Sequence, residues 1–121
     1  MRKQKHTVYT NCPVEVVMDM IAGKWKAMIL FHLSQRTLRF NELMRLLPAI
    51  TQRMLTTQLR ELEHDALITR AVFAEVPPRV EYSMTSLGVT LGPILGSLKT
   101  WAETHVPDRI VAQSSSSGDQ L

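Results

Sequence analysis

The sequence has a single cysteine, Cys12, and no apolar run long enough to cross a bilayer. One cysteine cannot form a disulfide within the chain, and a membrane-spanning helix needs about 20 mostly apolar residues. Arg2, Lys3 and Lys5 stand near the N-terminus without an apolar segment behind them, so a secretory signal peptide is not indicated. These absences predict a cytoplasmic protein without a membrane partner.

Residue patterns typical of catalytic or metal sites are also lacking. The four histidines are scattered through different predicted elements, and no Ser-His-Asp set, phosphate-binding glycine loop or carboxylate pair emerges. Cys12 and His6 do not have the C-x-x-C or H-x-x-x-H spacing of a closed zinc site. The sequence therefore predicts no enzymatic activity, no cofactor and no metal site. A metal- or small-ligand-responsive regulator is kept as an alternative.

The composition is that of one globular domain, with 121 residues, 45% hydrophobic and 21% charged. Its net charge of +3 is unevenly distributed. Residues 24–79 hold nine Lys and Arg against five Asp and Glu, whereas residues 80–121 hold two against four. A basic central segment favours a polyanionic partner, although a solvated surface would have the same charge.

That basic segment contains residues 50–64, which have the pattern of an amphipathic helix. Leu55, Leu59 and Leu62 form one apolar stripe, and Thr51 stands where an N-cap residue is expected. The opposite face carries hydroxyl, amide and guanidinium groups and no carboxylate in its first two turns, which suits contacts to bases and phosphates. The predicted DNA contacts on this helix are Thr51, Gln52, Arg53, Thr56, Thr57 and Arg60. The alternative is an ordinary amphipathic surface helix.

The surrounding segments predict a winged helix-turn-helix, a mainly α fold with a small β-hairpin (α+β). Helices are expected from Pro13 to Ala22, over residues 24–33, after an Asn41 cap, and after a Thr85 cap. Leu38-Arg39-Phe40 is a possible short strand, and residues 68–73 and 80–84 have the pattern of two hairpin strands. Pro48 and a short link place the third helix next to residues 50–64, as in a helix-turn-helix.

Four further cations are predicted to contact DNA, namely Lys24, Lys26, Arg39 and Arg79. Arg79 is expected at the hairpin tip, where a guanidinium can enter a narrow minor groove. The alternative for Arg79 is a solvated loop residue or an ion-pair partner of Glu75 or Glu81.

The last helix has a heptad-like seam formed by Leu87, Leu91, Ile94, Leu98, Trp101 and His105. A row of glycines, Gly88, Gly92 and Gly96, suggests close approach of another helix, and Pro93 is expected to kink the helix or to start a new one. These features predict a partner helix, and they would also suit a protein-interaction module that does not bind DNA. Residues 1–11 are predicted to be a flexible basic arm, 12–106 the folded domain and 107–121 a flexible tail.

The chain resembles the HxlR-type winged-helix transcriptional regulators over about residues 12–104. The matching motifs are Cys12-Pro13-Val14-Glu15, Gly23-Lys24-Trp25, Phe40-Asn41-Glu42-Leu43, Leu47-Pro48-Ala49-Ile50-Thr51, Met54-Leu55, Gln58-Leu59-Arg60-Glu61-Leu62-Glu63, Asp65, Val76-Pro77-Pro78-Arg79-Val80-Glu81-Tyr82-Ser83-Met84-Thr85, Leu87-Gly88 and Trp101.

The resemblance implies a homodimer, built on the first and last helices, that binds a palindromic operator in double-stranded DNA. The expected dimerisation residues are Val14, Val17, Leu91, Ile94, Leu98 and Trp101. One departure is Ala66, where the family often has a glycine in a left-handed conformation. Because alanine pays a steric cost there, the recognition helix is expected to end differently or to run on.

Some members of the family sense electrophiles or oxidants through a cysteine at the position of Cys12. In this sequence Cys12 precedes Pro13, so it is expected at the N-cap of the first helix, where the helix dipole favours a thiolate. The resemblance thus implies redox sensing by Cys12. The alternative is a buried cysteine that packs as a small hydrophobe and does not react.

Overall fold

The computed structural model describes residues 12–111 and has the order of elements expected for a winged helix. The elements are α1 (Pro13–Ile21), α2 (Lys26–Gln35), β1 (Leu38–Arg39), α3 (Phe40–Leu46), α4 (Gln52–His64), β2 (Ile68–Phe73), β3 (Arg79–Met84), α5 (Ser86–Val89), α6 (Gly92–His105) and a 3₁₀ turn (Pro107–Arg109). The predicted arm, 1–11, and residues 112–121 of the predicted tail lie outside the described residues. The 3₁₀ turn shows that regular structure extends beyond the predicted boundary at residue 106.

The three strands form one antiparallel sheet in the order β1-β3-β2. The β2–β3 hairpin is the wing, and its register pairs Ile68 with Met84 and Phe73 with Arg79. β1 adds a short third strand that pairs Leu38 with Tyr82. The prediction of a mainly α fold with a small β-hairpin is confirmed, and β2 has the predicted limits.

Two helices begin at different residues from those predicted. α2 begins at Lys26, two residues later than expected, with Trp25 as its N-cap. α3 begins at Phe40, so Asn41 lies inside the helix and does not cap it. The Arg39 amide donates instead to the Glu42 carboxylate at 2.8 Å, which satisfies one of the unpaired donors of the first turn.

Both ends of α4 have specific hydrogen bonds. The Thr51 hydroxyl accepts from the Met54 amide at 3.0 Å, which confirms the predicted cap. At the other end Ala66 has a φ of 62°, and the Leu67 amide donates to the Leu62 carbonyl at 3.0 Å. This is the Schellman closure that a glycine usually makes. The expectation that alanine would change the end of this helix is therefore wrong.

The predicted last helix is divided into two. α5 is a single turn capped by Thr85, and α6 starts at Gly92 with Pro93 in its first turn, so the alternative of a new helix at Pro93 is the correct one. A Cβ on Gly88 would lie 2.1 Å from the Leu67 carbonyl oxygen, whereas a Cβ on Gly96 would meet nothing within 4 Å. Gly88 thus allows the approach of the chain entering β2. A Cβ on Gly92 would meet Ser34 of α2 at an ordinary 3.9 Å, so within residues 12–111 no helix approaches closely enough to require the glycines of α6.

α2 lies at the centre of the domain, as its apolar sequence predicts. It packs against α1, α4, α6 and β3. Its residues Ile29, Leu30 and Leu33 join a core in which Leu43, Leu47, Leu55, Leu59, Leu62 and Leu67 are almost completely buried. Burying one such side chain stabilises the fold by about 1.5–3 kcal/mol. Within residues 12–111, every helix falls short of the length and hydropathy needed to span a membrane.

Candidate nucleic-acid interface

α4 presents a polar face to solvent because its leucines hold the opposite face in the core. Gln52, Arg53, Thr57 and Arg60 are exposed, and Thr56 is half-buried beside them. The structure thus brings the predicted recognition residues onto one side of one helix. Guanidinium, amide and hydroxyl groups in this arrangement can donate to base edges and to phosphate oxygens.

Two hydroxyls of this face also make hydrogen bonds within the helix. Thr51 accepts from the Met54 amide as the cap, and the Thr56 hydroxyl donates to the Gln52 carbonyl at 2.9 Å. These bonds fix both side chains in place. Gln52, Arg53, Thr57 and Arg60 therefore carry the main donor capacity of the surface.

Lys26 does not belong to this surface, so its prediction as a DNA contact is wrong. Its side chain is 6% exposed, and Nζ lies 2.5 Å from the Glu61 Oε1 atom of α4. Lys26 is the first residue of α2 and points towards α4, so the ammonium is used to join the two helices. The same ion pair neutralises Glu61 and thereby removes a negative charge from the side of the recognition helix.

The junction between α1 and α2 lies beside α4. A cavity of about 400 Å³ between them is lined by Gly23, Lys26, Thr57 and Glu61, among others. Lys24 follows Gly23, is exposed, and holds its Nζ 4.9 Å from the centre of the Trp25 ring. Lys24 thus remains a surface cation next to the recognition helix.

Arg79 lies at the start of β3 and not at the tip of the wing. Its guanidinium carbon lies 4.1 Å from the centre of the Phe73 ring, Nη2 lies 3.0 Å from Glu75 and Nε 3.6 Å from Glu81. The structure matches the alternative in which Arg79 is an ion-pair partner. The tip itself presents Val76, which is fully exposed, and two prolines.

Arg39, in β1, is exposed and stands opposite Glu81 in the sheet register. Its Nε atom lies 4.0 Å from the Glu81 carboxylate, a loose contact that leaves the guanidinium largely in water. Solvent screening makes such a pair worth little. Arg39 is therefore available to a polyanion, whereas Arg79 would first have to break its ion pairs with Glu75 and Glu81.

Arg70 and Tyr82 belong to the same surface, but the reasoning from sequence missed them. They are paired across β2 and β3, and with Thr56, Leu59, Arg60 and Glu63 they line a cavity of about 280 Å³ beside α4. Burial raises the pKa of the Tyr82 hydroxyl, an effect that the nearby Arg70 guanidinium opposes. The predicted strands could have pointed to this pair, because residues paired directly across a hairpin share one face of the sheet.

The residues predicted for dimerisation divide into two groups. Val14 of α1 and Ile94, Leu98 and Trp101 of α6 are exposed, at 51% to 59% of their surface. Val17 and Leu91 pack instead against the core of their own chain. Exposed apolar residues in a row on one helix are typical of a surface that another protein covers.

Cys12 is exposed and occupies the N-cap of α1, next to Pro13. Its carbonyl accepts from the Glu15 amide at 2.9 Å, as expected for a residue that starts a helix. The alternative of a buried cysteine is therefore wrong. Among residues 12–111, no group of three or more His, Cys, Asp and Glu side chains is arranged to hold a metal ion.

A family comparison decides the class of the protein. The profile of HxlR-like helix-turn-helix proteins matches residues 20–110. The chain belongs to the HxlR-like family. The HTH-type transcriptional regulator YdeP of Bacillus subtilis (strain 168) is 53% identical over 102 residues, which cover 84% of this chain and 79% of YdeP.

Similar chains of known structure are named as regulators. The redox regulator HypR in its oxidized form is 52% identical, with a TM-score of 0.74, and the match covers 78% of this chain and 97% of that one. Diamide-treated YodB of B. subtilis is 30% identical, with a TM-score of 0.65 and coverage of 80% and 97%. Accordingly, this HxlR-like protein is a transcriptional regulator with a helix-turn-helix fold and not an enzyme.

The HxlR-like fold thus places the α4 residues, Lys24 and Arg39 on the exterior of the domain. Lys26 is excluded from this exposed set because it is buried, and Arg79 because it is held in ion pairs. The fold adds Arg70, which the motif-based reasoning did not select.

Proposed function

We propose that this regulator binds double-stranded DNA as a homodimer and inserts one α4 per subunit into the major groove of a palindromic operator. The observation that carries the proposal is the exposed face of α4, with Arg53, Thr57 and Arg60 on one side of a capped helix. Lys26 pairs with Glu61, so this carboxylate of α4 does not oppose a phosphate. Two such helices related by a two-fold axis would meet half-sites about 34–36 Å apart.

Arg53 is proposed to read a base, because it stands in the first turn of α4, is exposed, and can place two donors on a guanine edge. Arg53→Ala is expected to weaken operator binding by about 1–3 kcal/mol and to relax specificity at one base pair. DNA fragments retained by the protein from a random pool would first define the operator. Affinity for operator and random duplex is then measured over a salt series.

Arg109→Ala is the matched control, because Arg109 is an exposed arginine in the 3₁₀ turn beyond α6. It should bind operator as wild type does. The wild-type protein should lose affinity steeply with salt. A plot of the logarithm of the binding constant against the logarithm of the salt concentration should fall with a slope of about −0.9 per phosphate contacted. A shallow slope would contradict DNA binding, and equal losses on operator and random DNA would contradict base reading by Arg53.

We also propose that oxidants or electrophiles act on this regulator through Cys12. The thiol is exposed at the N-terminus of α1, so electrophiles and oxidants in solution can reach it. Solved relatives include a redox regulator in oxidized and reduced forms. Diamide would take up two hydrogens as two thiols join in a disulfide, the second thiol coming from the other subunit or from a small thiol.

The test compares wild type with Cys12→Ser, before and after diamide, by operator binding and by non-reducing electrophoresis. Oxidised wild type is expected to change its operator affinity, and Cys12→Ser is expected to keep it. Equal changes in both proteins, or none in wild type, would show that another group receives the signal.

A further inference from the structure

A cavity of about 280 Å³ lies where the recognition helix meets the wing. α4 contributes Thr56, Arg60 and Glu63 to its walls, while β2 contributes Arg70 and β3 contributes Tyr82. This cavity opens on the same side of the domain as the exposed face of α4, because Arg60 belongs to both.

The frame of this cavity is fixed by the fold. Arg70 and Tyr82 are directly paired across the hairpin, so their side chains stand next to each other on one face of the sheet. Arg60 and Glu63 lie one and two turns beyond Thr56 along α4. Leu59 and Tyr82 are buried and hold the helix against the sheet.

The charge inside the cavity is positive. Two guanidinium groups face a single carboxylate, that of Glu63. Within residues 12–111, neither Arg60 nor Arg70 forms an ion pair with a carboxylate, and the Arg70 guanidinium hydrogen-bonds the Tyr82 hydroxyl. Two guanidiniums that converge from different elements suit a ligand with several negative oxygens.

Tyr82 adds a neutral donor at the base of the cavity. A tyrosine hydroxyl, with an ordinary pKa of about 10, is protonated at neutral pH, and burial raises the pKa of Tyr82 further. A protonated hydroxyl can donate to an oxyanion, which an ionised phenolate would repel.

We propose that this cavity is a phosphate site, in which one phosphate group is held between Arg60 of α4 and Arg70 of β2. The phosphate belongs either to the DNA backbone or to a small phosphate-bearing molecule, and the chemistry of recognition is the same in both cases. A group bound there links the recognition helix to the wing and so fixes their relative position. The alternative in which the phosphate belongs to the DNA backbone rests on the proposed function.

The first experiment omits DNA and titrates inorganic phosphate into the full chain at constant ionic strength, followed by calorimetry and by NMR signals of the arginine side chains. Wild type and Arg109→Gln are expected to bind phosphate equally, and Arg70→Gln to bind about tenfold more weakly or worse. Arg60→Gln, on the exposed face of the helix, is a second variant in case Arg70→Gln folds poorly.

The second experiment measures binding of the same proteins to random duplex DNA over a salt series. If a backbone phosphate occupies the cavity, the salt slope of Arg70→Gln should be smaller by about one contact than that of Arg109→Gln. Weaker phosphate binding with an unchanged slope would assign the cavity to a small phosphate-bearing molecule.

A reduced slope without measurable binding of inorganic phosphate would assign the cavity to DNA. The proposal is overturned if Arg70→Gln and Arg60→Gln match Arg109→Gln in both experiments. Since the phosphate titration contains no DNA, its failure is distinguishable from a failure of the protein to bind DNA.

Discussion

Ala66 has a left-handed backbone, with a φ of 62°, that its side chain disfavours. The residue ends α4 in a Schellman closure, and the hydrogen bonds of that closure set the direction of the chain into β2. The end of the helix is therefore maintained by tertiary structure at a cost in local strain. Glycine would make the same closure without the steric penalty.

Ala66→Gly is accordingly expected to raise the free energy of unfolding by about 1 kcal/mol. Ala71→Gly is the matched control, since Ala71 lies exposed in β2, where glycine should lower stability by roughly 0.5–1 kcal/mol. Urea unfolding at one fixed protein concentration measures both changes. A stability loss in Ala66→Gly would show that the alanine methyl group makes contacts worth more than the strain.

At the scale of the elements, the Lys26–Glu61 ion pair joins the start of α2 to the middle of α4. Lys26 is almost completely buried and Glu61 partly so, and removal of one partner leaves the other charge in a poorly hydrated position. The pair therefore helps to hold the recognition helix on the central helix of the core.

Lys26→Met is expected to lower the free energy of unfolding by about 1–3 kcal/mol. The double variant Lys26→Met with Glu61→Gln should lose less than the two single variants together, with a coupling energy of about 0.5–3 kcal/mol. The salt slope of DNA binding should stay that of wild type. A salt slope smaller by one phosphate contact in Lys26→Met, with no coupling energy between Lys26 and Glu61, would show that Lys26 contacts DNA.

Lys26 also shows where the prediction from sequence fails. The limits of β2, the Thr51 cap and the outward face of α4 depend on local propensity and periodicity, and they were predicted correctly. The direction of Lys26 depends on how α2 crosses α4, and the contact of Arg70 with Tyr82 depends on strand register. Both are tertiary relations that a pattern along the chain does not contain.

The division between α5 and α6 occurs at Pro93. The sequence left open whether Pro93 kinks one helix or starts a new one, and in the structure α6 starts at Gly92 with Pro93 in its first turn. Leu91, just before α6, packs against the core, while Ile94, Leu98 and Trp101 remain at the surface.

For the whole molecule, this exposed row on α6 is the strongest indication of a partner subunit. Ile94, Leu98 and Trp101 are each more than half exposed and lie three to four residues apart, so they form one apolar strip along the helix. Val14 and Met18 of α1 are exposed as well. If a second copy covers the strip, the operator contacts of two α4 helices become one cooperative unit.

Leu98→Glu places a charge in the middle of this strip and is expected to yield a monomer at micromolar concentration, because a buried unpaired carboxylate strongly disfavours association. Leu98 is 55% exposed in the single chain, so the fold itself should tolerate the change.

Val72→Glu is the matched control, since Val72 is 57% exposed but lies on the wing. Equilibrium sedimentation should show a dimer for wild type and Val72→Glu and a monomer for Leu98→Glu. The monomer should also lose its preference for two half-sites over one. A wild-type monomer, or a dimer that survives Leu98→Glu, would place the subunit contact elsewhere and remove the physical basis for a palindromic operator.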